Sequence, residues 1–202
     1  MIKKISGNDV KLTYYGTNYG GWAIDPSIIK QTDIVYSFGV GTDISFDIEM
    51  IDNCGVTVNA FDPTPRCIEW IKKQKLPNKF IFREIGVSAF DGISYFNLPP
   101  KLEYVSYSET AEKTENTIEL PVKTLKTIMK ELNHNRIDVL KMDIEGSEYA
   151  ILDYMIKNSI YPKIILVEFH NSNNEINILN NFLNKYSVYN KINTRDYYLI
   201  IK

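Results

Sequence analysis

Apolar positions along this chain follow two patterns that take turns. Short unbroken runs, rich in β-branched and aromatic residues, give way to stretches in which apolar residues recur every three or four positions. The run at 33–38 (DIVYSF) ends at Gly39, and Ile44, Ile48 and Ile51 then repeat at helical spacing, which predicts strand, turn and helix. A second unit has its strand over 56–61, closed by Asp62 and Pro63. Ile68, Trp70 and Ile71 then fall on one side of a helix that fades by Leu76 and Pro77. A third strand is predicted over 79–85. The rhythm then breaks: short strands at 93–98 and 118–122 flank a polar segment, and the whole of 91–121 reads as an insertion.

Alternation resumes with a helix over 125–132, a strand over 137–142 that ends at Asp143, and a helix over 148–156. The near-continuous apolar run at 163–169 is expected of a strand covered on both faces, and so of a central one. An Asn-rich helix over 174–186 and a hairpin of 187–193 and 197–201 around Thr194, Arg195 and Asp196 close the chain. This order predicts an α/β fold with a doubly wound, mostly parallel sheet that carries an antiparallel strand at its end. No repeat or linker divides residues 1–202, so one domain is expected, with an N-terminal cover segment over residues 10–30.

Composition narrows the function. The 202 residues are 44% hydrophobic and 24% charged, ordinary for a globular domain that needs no disulfide or metal to fold. With 23 basic and 25 acidic residues the net charge is −2, which argues against a broad polyanion-binding surface and so against nucleic acid as a partner. Cys54 and Cys67 are too far apart for a C-x-x-C motif and read as buried thiols of a reducing compartment. No apolar run reaches the length of a membrane span, and the first residues turn polar where a secretory segment would continue, so a cytoplasmic protein is expected. Oligomeric state has no signature in the sequence.

Chemistry enters at Ser37-Phe38-Gly39-Val40-Gly41. Glycines let a backbone approach a ligand. In an open α/β sheet the crevice beyond the strand ends binds nucleoside cofactors, and an acid about 20 residues after the turn accepts both ribose hydroxyls. Asp62 has that spacing. A dinucleotide fingerprint needs a third small residue three positions after Gly41, where this chain has Ile44. The turn therefore fits a nucleoside without pyrophosphate, of which S-adenosylmethionine is the common one. The same residues also suit a plain tight turn in which Asp62 caps the next helix.

A second group of polar residues ends the later strands. Asp143 terminates one, and Glu168 and His170, two apart and so on one side, terminate the next. Glu145 and Glu148 suit the first turn of a helix, where the dipole favours acids. His170 or a tuned carboxylate can remove the proton from an acceptor hydroxyl. Alternatively Asp143, Glu168 and His170 ligate Mg²⁺ or Mn²⁺. Both readings stand. His134, in a polar turn, reads as a loop residue.

Taken together, SFGVGTDISFD, AFDPTPRCIEW, VLKMDIEGSEYAIL and ILVEFH, in this order and spacing, resemble the FkbM-like S-adenosylmethionine-dependent methyltransferases and their methyltransferase-like relatives. The resemblance spans residues 15–170 and implies a class I methyltransferase sheet of seven strands, the last antiparallel. It further implies O-methylation of a small-molecule or glycan acceptor, often at a sugar hydroxyl. By that likeness Ser37, Phe38, Gly39 and Gly41 form the cofactor turn, Asp62 is the ribose acid, and Gly86 lets a loop pass the adenine. Asp143, Glu145 and His170 would stand at the reacting end. Many such enzymes have an acid where this chain has Ser37, so the contact with the methionine end must come from elsewhere. Tyr19-Gly20-Gly21-Trp22 either folds over the cofactor or makes a hairpin with Trp22 in the core. A base-amine methyltransferase of nucleic acid would carry Asn/Asp-Pro-Pro-aromatic where Asp-Ile-Glu-Gly stands, which disfavours that class. A binding module without turnover is a further alternative.

Overall fold

The structure, a computed structural model, describes residues 2–99, 106–170, 175–191 and 194–202. The chain opens with β1 (Ile2–Ser6), the hairpin β2 (Thr13–Tyr15) and β3 (Trp22–Ile24), and β4 (Ile34–Phe38). Next come α1 (Ser45–Cys54), β5 (Thr57–Phe61), α2 (Pro65–Ile71) and β6 (Phe80–Arg83). Four short strands follow, β7 (Gly86–Val87), β8 (Gly92–Asn97), β9 (Ser108–Thr110) and β10 (Thr117–Lys123). The chain then returns through α3 (Leu125–Glu131), β11 (Val139–Met142), α4 (Glu148–Lys157), β12 (Ile164–Glu168), α5 (Glu175–Asn180), β13 (Tyr186–Lys191) and β14 (Asp196–Ile201).

The main sheet has eight strands in the order β1-β13-β14-β12-β11-β4-β5-β6. Ladders from β6 to β12 are parallel, while β12–β14, β14–β13 and β13–β1 are antiparallel. The sheet is therefore mixed, with one strand more than the seven expected. The extra strand is β1, whose IKKIS sequence is exposed through its middle and carries no apolar run to announce it. It is held by pairing with β13 rather than by burying its side chains.

Alternation along each strand divides the core into two layers. Val35, Val58, Val139 and Leu166 face α1 and α2, where they meet Phe46, Met50 and Cys67. Tyr36, Phe61, Leu140 and Val167 face α3 and α4, where they meet Leu125, Ile151 and Leu152. Both faces of the parallel strands are covered, which explains their continuous apolar sequence. Over the antiparallel end the β2–β3 hairpin caps the α1 side: Trp22 is 3% exposed and packs edge-on against Tyr198, ring centres 6.1 Å apart.

The insertion is a second sheet, β7-β10-β8-β9, closed over Phe96, Leu120 and Val122. The polar segment at its centre includes residues 100–105, which lie outside the described residues. The Asn-rich helix is shorter than expected, ending at Asn180; turns then bury Phe182. Residues 171–174 and 192–193 also lie outside the described residues. No helix among the described residues is long and apolar enough to cross a membrane.

Candidate active site

From β4 the chain winds outward through β5 and β6, and from β11 it winds the other way to β12. The strand order therefore reverses between β4 and β11, and a crevice opens beyond their carboxyl ends. A cavity of about 220 Å³ lies there, bordered by the glycine turn, Asp62, Gly86 and Phe96 on one side and by Asp143, Glu145, Glu168 and His170 on the other. Gly39 is what lets the two strand ends meet. Its φ is +71°, a left-handed conformation, and a Cβ built on it would lie 1.6 Å from the carbonyl oxygen of Asp143.

Asp62 spends most of its carboxylate on the protein itself. One oxygen accepts from the Gly41 N–H at 3.0 Å, and the other from the Thr64 N–H and hydroxyl at 2.9 and 2.6 Å. An ionised carboxylate has about four acceptor sites, and the buried Cys67 thiol is hydrogen-bonded to Asp62 as well, so little capacity is left over. Any contact of Asp62 with ribose hydroxyls would be shared with these partners. Phe38 borders the cavity and stacks on Phe61 at 4.5 Å. Ser37 does not reach the cavity. It is fully buried beneath the turn, its hydroxyl on the side of the buried Asp47 carboxyl. Of the N-terminal segment, Tyr19 and Gly20 border the cavity, whereas Trp22 is in the core as the hairpin alternative held.

The opposite wall is organised by a residue that sequence reasoning set aside. Glu148, in the first turn of α4, is fully buried. Its carboxylate accepts from the N–H groups of Ile144 at 3.2 Å and Gly146 at 3.0 Å, and meets Nδ1 of His170 at 2.9 Å. It thus clamps the loop from Asp143 to Ser147, in which Glu145 (φ +52°) and Gly146 (φ +113°) are both left-handed. It also turns the other imidazole nitrogen toward the cavity. Nε2 lies 3.4 Å from Glu145, 3.7 Å from Glu168 and 3.9 Å from Asp143. A buried carboxylate that orients a histidine in this way is common to metal ligands and to general bases.

Charge crowding shifts the group. Burial pushes the Glu168 carboxyl up to about 7, with the Asp143 charge adding to it, and burial also raises Asp143. For His170 burial works downward, yet the hydrogen bond and charge of Glu148, with Glu145 and Asp143, prevail and hold the imidazole up at about 9. Asp143, Glu168 and His170 present ligand atoms within 4.8 Å of one another, so this donor set suits an oxygen-preferring divalent ion.

The insertion sheet is fastened to the same loop. Glu109 of β9 accepts from the Ser147 hydroxyl at 2.7 Å and from the Ser88 hydroxyl at 2.9 Å. Ser147 stands at the N-cap of α4 but makes no capping bond, its hydroxyl being turned to Glu109. His134, expected to be a bystander, instead has Nδ1 2.8 Å from the buried Tyr36 hydroxyl.

Comparison with known proteins adds three findings. The model of the methyltransferase FkbM domain matches residues 22–192. Probable methyltransferase-like protein 24 of Rattus norvegicus is 27% identical over 139 residues, and that of Homo sapiens 26% over 139 residues; each match covers 67% of this chain and 32% of the relative. The chain thus spans about a third of the length of these relatives. The crystal structure of methyltransferase FkbM from Methylobacillus flagellatus KT matches with a TM-score of 0.54 at 11% identity, covering 85% of this chain and 44% of that one, a likeness of fold.

Proposed function

The chain belongs to the FkbM methyltransferase domain family, and on that premise we propose that it is an S-adenosylmethionine-dependent O-methyltransferase acting on a sugar hydroxyl in a glycan or natural product. The observation that carries this reading is the cavity at the strand-order reversal, with a glycine turn on one wall and carboxylates with an imidazole on the other. Ile44 favours a nucleoside over a dinucleotide, because its side chain packs in the core where a pyrophosphate would need open backbone.

The cofactor would supply a methyl group on a positively charged sulfur. The chain's own residues then have three tasks. Gly39, Gly41 and Asp62 fix the nucleoside, and the rigid loop around Asp143 and Glu145 holds the acceptor oxygen in line with the methyl carbon, since positioning provides much of the rate of a displacement. The third task is to take the acceptor proton. In the resting site His170, held at about 9, is already protonated at neutral pH, whereas Glu168 at about 7 has the affinity a general base needs. A positive charge entering among the carboxylates would lower His170 and make it competent as well.

Calorimetry with S-adenosylhomocysteine tests the cofactor assignment. Binding is expected, weakened at least about tenfold in Asp62→Ala, as for loss of a hydrogen bond from a charged acceptor; no binding, or an unchanged affinity in the variant, sinks it. As the alternative to the base role, Asp143, Glu168 and His170 would hold a divalent ion, which would supply the activation of the acceptor hydroxyl instead. Mn²⁺ titrated into the protein should show a bound species by electron paramagnetic resonance that disappears in Asp143→Asn. If all the Mn²⁺ stays free, the three residues serve as base and positioning groups alone.

A further inference from the structure

Five carboxylates border the cavity, Asp43, Asp62, Asp143, Glu145 and Glu168, and among the described residues Lys141 is the one lysine or arginine that does. It is 5% exposed. Alternation on β11 puts it on the α1 side, beneath the glycine turn, where Nζ donates to the Gly39 carbonyl at 2.7 Å and more weakly to that of Phe38 at 3.5 Å. An ammonium group has three protons to place, so the third has no acceptor among the described residues. Nor does any described carboxylate come within 4 Å of the nitrogen; Asp47, fully buried on α1, acts on it only at longer range. Beyond the two carbonyls only the longer-range charges of Asp47 and Asp143 offset this buried cation, and a counter-ion in direct contact relieves the remaining cost.

The pairing of β11 with β4 explains why the charge is open. Lys141 lies directly opposite Ser37 in the register. An acid at that position would stand on the same face beside the ammonium and neutralise it within the protein. Serine carries no charge and cannot. The charge is thus available at the cavity wall next to Gly39, among acids that would repel any other anionic group.

We infer that Lys141 is the counter-ion of the carboxylate at the methionine end of the cofactor. The inference rests on the cofactor reading above, and two ligands separate the two. S-adenosylhomocysteine and its decarboxylated analogue, S-adenosyl-3-thiopropylamine, differ only in the carboxylate. By calorimetry the wild-type protein is expected to bind the first about 10- to 100-fold more tightly, the value of a charged hydrogen bond. Lys141→Met and Lys141→Gln are expected to bind both ligands alike, at the level of the decarboxylated one. A wild-type ratio near one overturns the inference, as does a variant that keeps the wild-type ratio. If neither ligand binds the wild-type protein, the cofactor reading itself falls. Should neither variant fold, the wild-type ratio decides alone: near one overturns the inference, tenfold or more supports it.

Discussion

Gly39→Ala is expected to unfold this protein or leave it unable to hold its cofactor. Two costs add. An L-residue in the left-handed region loses about 1–2 kcal/mol. The new Cβ would also sit 1.6 Å from the Asp143 carbonyl oxygen, a backbone atom that moves only if β4 and β11 separate at their ends. Together these should exceed about 4 kcal/mol, in the class of the most damaging single changes. For a chain of this length that lowers Tm by more than about 10 °C. Thermal denaturation followed by circular dichroism, with calorimetry on whatever folds, would read both effects. A variant with wild-type Tm and wild-type nucleoside affinity would show that the two strand ends do not meet as described.

Glu148→Gln should act as strongly from the other wall. It leaves the imidazolium of His170 without its closest anion and, with the amide oxygen in the place that Ile144 and His170 share, turns an amide NH2 against the Gly146 N–H. Breaking a buried charged pair from one side costs on the order of 3 kcal/mol. It also carries a signature that simple destabilisation lacks. His170 is held at about 9 against an ordinary 6.5, and Glu168 at about 7 against 4.5. Each is raised, so the folded protein binds more protons than the unfolded chain across this range, and stability falls as pH rises. For His170 the contribution is complete below about 6.5 and is lost as pH climbs through about 9. In Glu148→Gln that upper part of the slope should flatten, and the imidazole resonance should titrate at lower pH by nuclear magnetic resonance. An unchanged His170 titration would mean that Glu148 is not its anchor.

The strands that build the cavity were readable because burial on both faces writes itself as near-continuous apolar sequence; β4, β5, β11 and β12 are of that kind, interrupted only by Ser37, Asn59 and Lys141. Strands held mainly by their ladders were not, and β1 and the three-residue β9 have no such pattern. Within the site, the glycine turn and the acids at the strand ends were legible by residue type and spacing. What spacing could not tell was direction. Glu148 reads as an ordinary helix-start acid, and only the left-handed backbone at Glu145 and Gly146 folds the loop back onto it. Asp62 stands where expected but is occupied by Gly41 and Thr64. Lys141 did leave a trace: a lysine inside an otherwise apolar strand, VLKM, must either bend the strand outward or be matched within.

The bond from Ser147 to Glu109 bears on any attempt to redirect this protein to a new acceptor. Exchanging β8–β10 for the corresponding segment of a relative would leave Ser147 free to return to the start of α4, where serine is worth about 1 kcal/mol as a cap. The transplanted sheet would then compete with the helix for one hydroxyl, and the loop carrying Asp143 and Glu145 would follow whichever wins. A donor segment with an acid in register with position 109 brings its own latch. One without it would disturb the loop of Asp143 and Glu145 along with the rim of the cavity, so under the proposed function acceptor choice and rate would change together.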